Sequence, residues 1–138
     1  MKVIKEASKK VSYIGQIERA KKMVKKNDIV EQMEREWPEM TQEFKKIQRE
    51  QYELFLHKQH DYGPGNISVG TQLQTEDEVH LSLTGLWFRM NDKIQRLKNL
   101  LMSGRENAVK GETVEDAYLD VSNYGIMATI VSRSKWGK

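Results

Sequence analysis

Apolar side chains recur every three or four residues along much of this chain, a spacing that places them on one face of an α-helix. The pattern predicts long helices over about residues 39–60, 84–102 and 113–133, and a shorter helix over about residues 27–37. The apolar stripe of the first long helix consists of Met40, Phe44, Ile47, Gln51, Leu54 and Phe55. That of the next helix consists of Leu83, Trp87, Met90, Ile94, Leu97 and Leu101, and the adjacent Phe88 is also expected in the core. We therefore predict an all-α fold, an irregular bundle of three long helices plus one shorter N-terminal helix.

The residues between these stripes carry the signals that end and begin helices. Pro38 separates the short helix from the first long one, and the Gly/Pro-rich segment 61–66 ends that long helix. Gly104 is a natural residue to follow a helix C-terminus, and Thr113 is a good N-cap for the last helix. Residues 67–82 are predicted to be a connector with short extended pieces and an acidic centre at residues 76–78.

The net charge of +3 is distributed unevenly along the chain. Residues 1–26 contain nine Lys/Arg and two Glu, a net charge of +7, whereas the rest contains fourteen basic and eighteen acidic residues, a net charge of −4. This contrast predicts a basic N-terminal arm or helix over residues 1–26, followed by a single helical domain over residues 27–138. Two interpretations of the arm stay open: contact with nucleic acid or an acidic partner, and a solvated or partly helical tail.

The composition also excludes several classes of protein and of site. The chain has no cysteine, which excludes disulfides, thiolate metal sites and cysteine nucleophiles. It has no apolar run of the roughly 20 residues that a membrane-spanning helix needs. No apolar stretch follows the basic N-terminus, as it would in a secretory signal. We therefore expect a soluble, cytoplasmic protein that does not contact a membrane.

Polar residues form a line beside an apolar face on each of the three long helices. On the last helix, Asp116, Asp120 and Asn123 lie between two apolar faces, where carboxylates need a cation or a metal as partner. The preceding helix places Arg89, Lys93 and Arg96 on one line, with Asp92 beside it. The long helix before it contributes Glu50, His57 and Asp61. Packed together, these lines are expected to converge.

Two interpretations of this convergence stay open. The first is an internal network of ion pairs with no ligand, although buried ion pairs are weak evidence for stability. The second is a pocket in which guanidinium and ammonium groups hold phosphate, while carboxylates hold Mg²⁺ or contact a base or ribose. In the second interpretation Tyr62 stacks on a base. Residues 27–138 would then be a nucleotide-binding domain.

Three segments taken together resemble a known family. They are the run His60–Ile67, which contains Asp-Tyr-Gly; the run Gly85–Leu97, which contains R-x-x-D-K-x-x-R-L; and the run Asp116–Ile126, which contains D-x-x-N-Y. The chain resembles, over roughly residues 40 to 132, the first class of nucleotide-modification-associated domains, small helical domains enriched in phages. This resemblance implies a role in nucleotide metabolism or DNA modification in a phage or prophage, in the host cytoplasm if the protein is phage-encoded.

The polar residues identified above are the same ones that make the family pattern, and this agreement supports the candidate site. The predicted ligand- and phosphate-binding residues are Asp61, Tyr62, Asn66, Arg89, Asp92, Lys93, Arg96, Asn123 and Tyr124. If a metal is bound, its predicted ligands are Glu50, Asp116 and Asp120, and Mg²⁺ is the expected cofactor. A nucleotide or nucleotide-derived small molecule is the expected partner.

A more distant similarity is to the all-α nucleoside triphosphate pyrophosphatases of the MazG type, which bind Mg²⁺ through ExxE and ExxD motifs. Here Glu50 and Glu53 form an ExxE, but Asp116 and Asp120 are four residues apart and Arg96 replaces a carboxylate. Three functions remain open: a Mg²⁺-dependent nucleotide pyrophosphohydrolase, a non-catalytic phage anti-defence sponge that sequesters a cyclic or other nucleotide immune signal as an oligomer, and a helical interaction module. Whether the protein is an enzyme is left undecided, and a homo-oligomer is expected.

Overall fold

The computed structural model describes the backbone of residues 2–138 and the side chains of residues 13–138. The chain is 79% helical, and the described residues contain no strand, so the predicted all-α class is confirmed. The helices are α1 (Lys2–Glu36), α2 (Pro38–Tyr62), α3 (Gly65–Ser68), α4 (Glu76–Met102) and α5 (Val114–Ser132). They form two compact units, one ending at Gln48 and the other comprising Arg49–Lys138. The division into an arm and a domain at residue 26 stays a prediction.

The N-terminal helix differs from its prediction. The expected short helix over residues 27–37 is wrong as a separate element, because α1 runs for 35 residues, from Lys2 to Glu36. Asn27 and Asp28 would suit a helix start, but inside a helix each costs well under 1 kcal/mol, and the surrounding Lys, Glu and Gln residues favour continuation. Only Trp37, before Pro38, interrupts the helical backbone.

The predicted connector over residues 67–82 is also wrong in its second half, because α4 begins at Glu76. The Thr75 hydroxyl accepts a hydrogen bond from the Glu78 backbone N–H at 3.2 Å. In return, the Glu78 carboxylate accepts one from the Gln74 N–H at 2.7 Å. Acidic residues in a first turn also interact favourably with the helix dipole. The acidic run that looked like a loop is therefore a helix start.

Three predicted helix ends are confirmed. Gly63 and Gly104 follow α2 and α4 with φ of 66° and 63°, a left-handed conformation that costs glycine nothing. Thr113 caps α5 in a reciprocal capping box with Asp116.

The core of the second unit lies where α3, α4, α5 and the C-terminal residues meet. Its buried apolar side chains are Ile67, Leu86, Met127, Val131 and Trp136, and Phe55 is among the half-buried residues that pack against them. The buried Ser82 hydroxyl donates a hydrogen bond to the Ile67 carbonyl at 2.6 Å. The Trp136 indole N–H donates to the Pro64 carbonyl at 2.9 Å, and Phe55 packs edge-on against the Trp136 ring. These contacts hold the turn after α2 against the C-terminus.

Several residues predicted to lie in the core are exposed. Met40 and Phe44 on α2, and Trp87 and Phe88 on α4, are each more than half exposed, so their predicted burial is wrong in this chain. A helical period identifies an apolar face but not what covers it. By contrast, Gln51 of the predicted stripe is buried, and so is Leu86, which lies outside the predicted stripe of its helix. None of the helices that the structure describes combines the length and the apolar character needed to cross a membrane.

Candidate functional site

A cavity of about 260 Å³ lies within the second unit. It is lined by Phe55, Lys58, Gln59 and Tyr62 of α2, Asn66 and Ile67 of α3, Arg89 of α4, and Asp120, Asn123, Tyr124 and Met127 of α5. Its lining therefore combines apolar and aromatic side chains with a few polar and charged groups, the composition that is typical of small-molecule sites.

Two ammonium groups contact the carboxylate of Asp120: that of Lys58, which lines the cavity with Asp120, and that of Lys93, which is not part of the lining. Asp120 Oδ2 lies 2.9 Å from Lys93 Nζ, and Asp120 Oδ1 lies 3.7 Å from Lys58 Nζ. The hydrogen bond to Asp120 raises the pKa of Lys93, and the negative charges of Asp120 and Glu112 add to that rise, although partial burial opposes it. Asp120 is thus held between cations from α2 and α4.

Arg89 supplies a third cation and connects α4 to α3. Its guanidinium donates a hydrogen bond to the Asn66 backbone carbonyl at 3.1 Å. A guanidinium carries five N–H donors, so this bond positions the group while leaving donor capacity facing the cavity. Next to it, the Asn66 side-chain Oδ1 is buried and accepts no hydrogen bond from residues 13–138. A buried acceptor without a donor is costly, and a ligand that donates a hydrogen bond would relieve that cost.

Seven of the twelve predicted site residues lie at the cavity or contact one of its lining residues. Tyr62, Asn66, Arg89, Asp120, Asn123 and Tyr124 line the cavity, and Lys93 reaches it through its ion pair with Asp120. The structure thus brings together residues that are more than 60 positions apart in sequence.

Arg96 and Asp116 contact the loop before α5 instead. Arg96 donates hydrogen bonds to the carbonyls of Thr113 and Glu112 at 2.9 and 2.8 Å and to the Asn107 side chain at 2.9 Å. The Asp116 carboxylate accepts hydrogen bonds from the Thr113 N–H and hydroxyl, which lower its pKa below the ordinary 3.8. Both side chains hold the start of α5 in place.

Three further predicted residues lie outside the cavity lining. Asp61 is exposed at the end of α2 and pairs with the His60 ring at 3.0 Å. Asp92 is exposed on α4, and Glu50 of α2 is not among the lining residues. Among residues 13–138, no group of three or more His, Asp or Glu side chains is arranged to hold a metal ion. The predicted use of Mg²⁺ stays a prediction.

The sequence reasoning missed Lys58 and Gln59. Its polar line on α2 ran through Glu50, His57 and Asp61, whereas the face that reaches the cavity carries Phe55, Lys58 and Tyr62. The sequence does contain a signal for Lys58. Gln51 and Phe55 belong to the predicted buried stripe, and Lys58 and Tyr62 continue that stripe at helical spacing.

A comparison with models of protein families finds one family, and the residues that its model matches include most of this cavity. The model of the family described as nucleotide modification associated domain 1 matches residues 58–131. That range contains every lining residue of the cavity except Phe55. The comparisons with curated proteins and with solved structures each returned no match.

Proposed function

Because the chain belongs to the nucleotide modification associated domain 1 family, we propose that it binds a nucleotide or another nucleotide-derived phosphate ligand in the cavity described above. The observation that carries this proposal is the convergence of Lys58, Arg89 and the Lys93–Asp120 pair on a cavity inside the family-matched range. The lining carries two cations, Lys58 and Arg89, against the single carboxylate of Asp120, which also pairs with Lys93, so its positive charge is not fully compensated. A phosphate group supplies the matching negative charge and accepts hydrogen bonds from both guanidinium and ammonium groups.

The remaining lining suits the nucleoside part of such a ligand. Tyr62 is 68% exposed at the end of α2 and presents an aromatic ring on which a base stacks. The Asn66 Oδ1 atom accepts a hydrogen bond from a base amine or a ribose hydroxyl. The buried Asn123 side chain adds a second polar contact. The cavity volume of about 260 Å³ suits a single nucleotide better than a larger ligand.

Binding without chemistry is the form of this function that we favour. Predicted metal ligands already have other partners: Asp116 caps α5, and Asp120 pairs with Lys93 and Lys58. In this form the protein serves phage or prophage nucleotide metabolism or DNA modification, or sequesters a nucleotide immune signal as an oligomer. A Mg²⁺-dependent pyrophosphohydrolase is the catalytic alternative.

Titration calorimetry with a panel of nucleoside mono-, di- and triphosphates and cyclic nucleotides tests the binding. We expect at least one nucleotide to bind. Lys58→Gln and Arg89→Gln should each weaken that binding roughly tenfold, the effect of losing about 1.4 kcal/mol from one charged hydrogen bond. Lys98→Gln removes a cation of α4 that lies outside the lining and serves as the matched control. Equal losses in all three variants, or no binding by the unmodified protein, would contradict the proposed site.

Release of pyrophosphate from nucleoside triphosphates, measured with and without Mg²⁺, separates the two forms of the function. Binding without turnover supports sequestration. Mg²⁺-dependent turnover that Asp120→Asn abolishes supports the pyrophosphohydrolase.

A further inference from the structure

The α4 helix carries an apolar stripe that the rest of the chain leaves partly uncovered. This helix runs without interruption from Glu76 to Met102. Its apolar positions are separated alternately by four and three residues, the spacing at which one helix packs against another. Trp87, Ile94 and Leu101 are 55%, 49% and 55% exposed, and the other three positions are half-buried. The stripe consists of Leu83, Trp87, Met90, Ile94, Leu97 and Leu101.

The stripe faces neither the core nor the cavity. Leu86 belongs to the buried core, and Trp87, the next residue, is rotated roughly 100° from it around the helix axis. Ile94 follows Lys93, which pairs with Asp120 of α5, in the same way. Arg89 lines the cavity, and a separation of two residues places it on nearly the opposite side of α4 from Trp87.

The α5 helix continues this surface. Tyr118, Val121 and Gly125 follow one another at intervals of three and four residues and therefore share one side of the helix. Met127 lines the cavity and is rotated roughly 160° from Gly125. Tyr118 is 53% exposed and Val121 is half-buried. These three residues and the α4 stripe are called the open face below. It lies on the side of the packed α4–α5 pair that is turned away from the cavity.

Gly125 has no packing role within its own chain. Among the residues that the structure describes, a Cβ atom at this position would meet nothing within 4 Å beyond its own helix. Glycine is unfavourable in the interior of a helix, because it loses more conformational freedom than alanine on folding. A missing side chain also allows another backbone to approach closely. The position therefore fits a neighbour that lies outside the chain.

We propose that the open face packs against the open face of a second copy of this chain, with the two α4 helices antiparallel. On its solvent side the stripe is flanked at seven-residue intervals by Thr84, Asn91 and Lys98. An antiparallel pair sets each Lys98 against the Thr84 end of the other helix, whereas a parallel pair would bring the two Lys98 ammonium groups to the same level. The dimer leaves both cavities accessible, because each cavity lies on the other side of its α4–α5 pair.

The apolar area of the open face matches that of a small stable interface. Trp87 and Tyr118 are 55% and 53% exposed. An aromatic side chain buries roughly 150–250 Å², so these residues supply about 400 Å² from two copies. Ile94 and Leu101, which are also about half exposed, add a similar area. Because about 65% of a homodimer interface is apolar, a total of roughly 800 Å² corresponds to the ~1,200 Å² at the lower end of specific interfaces.

The mass of the full chain in solution, measured by size-exclusion chromatography with light scattering, tests this proposal. We expect twice the chain mass of 16.2 kDa for the unmodified protein. Ile94→Glu and Trp87→Glu each place a charge in the open face and should shift the mass to that of one chain. Asn99→Glu, exposed on the same helix but outside the stripe, is the matched control and should leave the mass doubled. Circular dichroism checks that the variants keep their helices.

Gly125→Gln separates a lost interface from a lost fold. The new side chain has open space within one chain and favours the helix, so we expect an undiminished helical signal together with the mass of one chain. A single-chain mass for the unmodified protein, or a doubled mass in any of the three open-face variants, would overturn the proposal. A mass that falls with Phe44→Glu alone would assign the dimer to the first unit and overturn it as well.

Cysteine cross-linking tests the antiparallel arrangement, and the absence of native cysteine gives a clean background. A mixture of Thr84→Cys and Lys98→Cys should be joined by a short bismaleimide reagent, because an antiparallel pair brings these two positions together. Lys98→Cys alone should not be joined to itself. A mixture that fails to cross-link, or self-linking of Lys98→Cys, would overturn the antiparallel arrangement.

Discussion

The Lys93 ammonium and the Asp120 carboxylate approach to 2.9 Å, joining the middle of α4 to the middle of α5. Both side chains are mostly buried, with 24% and 20% of their surfaces exposed. The pair raises the pKa of Lys93, so the charged form of the lysine is stabilised in the folded protein. The same carboxylate also lies 3.7 Å from Lys58 across the cavity. A single residue of α5 thus links two other helices and sets the charge of the candidate site.

Lys93→Met should lower the free energy of unfolding by about 1 kcal/mol, because Asp120 loses its nearest cation. A raised folded-state pKa means that this contribution is fully present below the ordinary lysine pKa of 10.5. It is then lost as the pH rises through the higher pKa of the folded protein. Urea unfolding at a series of pH values measures the difference, with Lys98→Met as control. A difference between wild type and variant that grows at alkaline pH would contradict this account.

The capping box of α5 should make the protein sensitive to acid. Hydrogen bonds from Thr113 hold the pKa of Asp116 below 3.8, so the ionised carboxylate favours folding above that pH. The contribution is lost as the pH falls through the lower folded-state pKa. We expect the melting temperature of Asp116→Asn to fall less steeply with acid than that of wild type. Asp92→Asn, at an exposed position of α4, should follow the wild-type curve. Superimposable curves for wild type and Asp116→Asn would refute the role of the capping box.

Trp136→Phe should lower the free energy of unfolding by about 1 kcal/mol, because it removes the indole N–H that donates a hydrogen bond to the Pro64 carbonyl. The phenyl ring is smaller than the buried indole, so a loss of packing against Phe55 adds to this cost. Trp37→Phe makes the same chemical change at a side chain that is 56% exposed, and should alter stability by less than about 0.5 kcal/mol. Denaturant titrations of both variants provide the measurement. Equal effects would show that the hydrogen bond to Pro64 does not stabilise the fold.

Arg96→Ala should separate a structural role of this arginine from ligand binding. The variant loses hydrogen bonds to the carbonyls of Glu112 and Thr113 and to the Asn107 side chain, so we expect a loss of about 2 kcal/mol and faster amide exchange over residues 107–113. Any ligand-induced rise in melting temperature should remain. Arg105→Ala, exposed in the same loop, is the control. Loss of the thermal shift without loss of stability would place Arg96 in the ligand site.

The candidate site was predictable in part. Helical spacing put Asp120 and Asn123 on one face of the last helix and Arg89 and Lys93 on one face of the preceding one, and the structure brings these side chains to one cavity or its edge. The face of α2 that meets them was assigned incorrectly, so Lys58 was missed. A helical wheel shows which residues share a face, but the rotation of one helix against another depends on packing between residues distant in sequence.

By itself, the sequence determined the helical class and most of the helix ends. Those features depend on contacts within a few residues, such as the cap at Thr113 and the left-handed turn at Gly104. Only the tertiary structure decided which apolar faces are covered and which partner each charge has. Phe44 is exposed and Gln51 is buried, although both belong to the same predicted stripe. Asp116 and Asp120 share a helix face, yet one caps its own helix and the other binds two lysines, because those choices depend on which distant elements pack nearby.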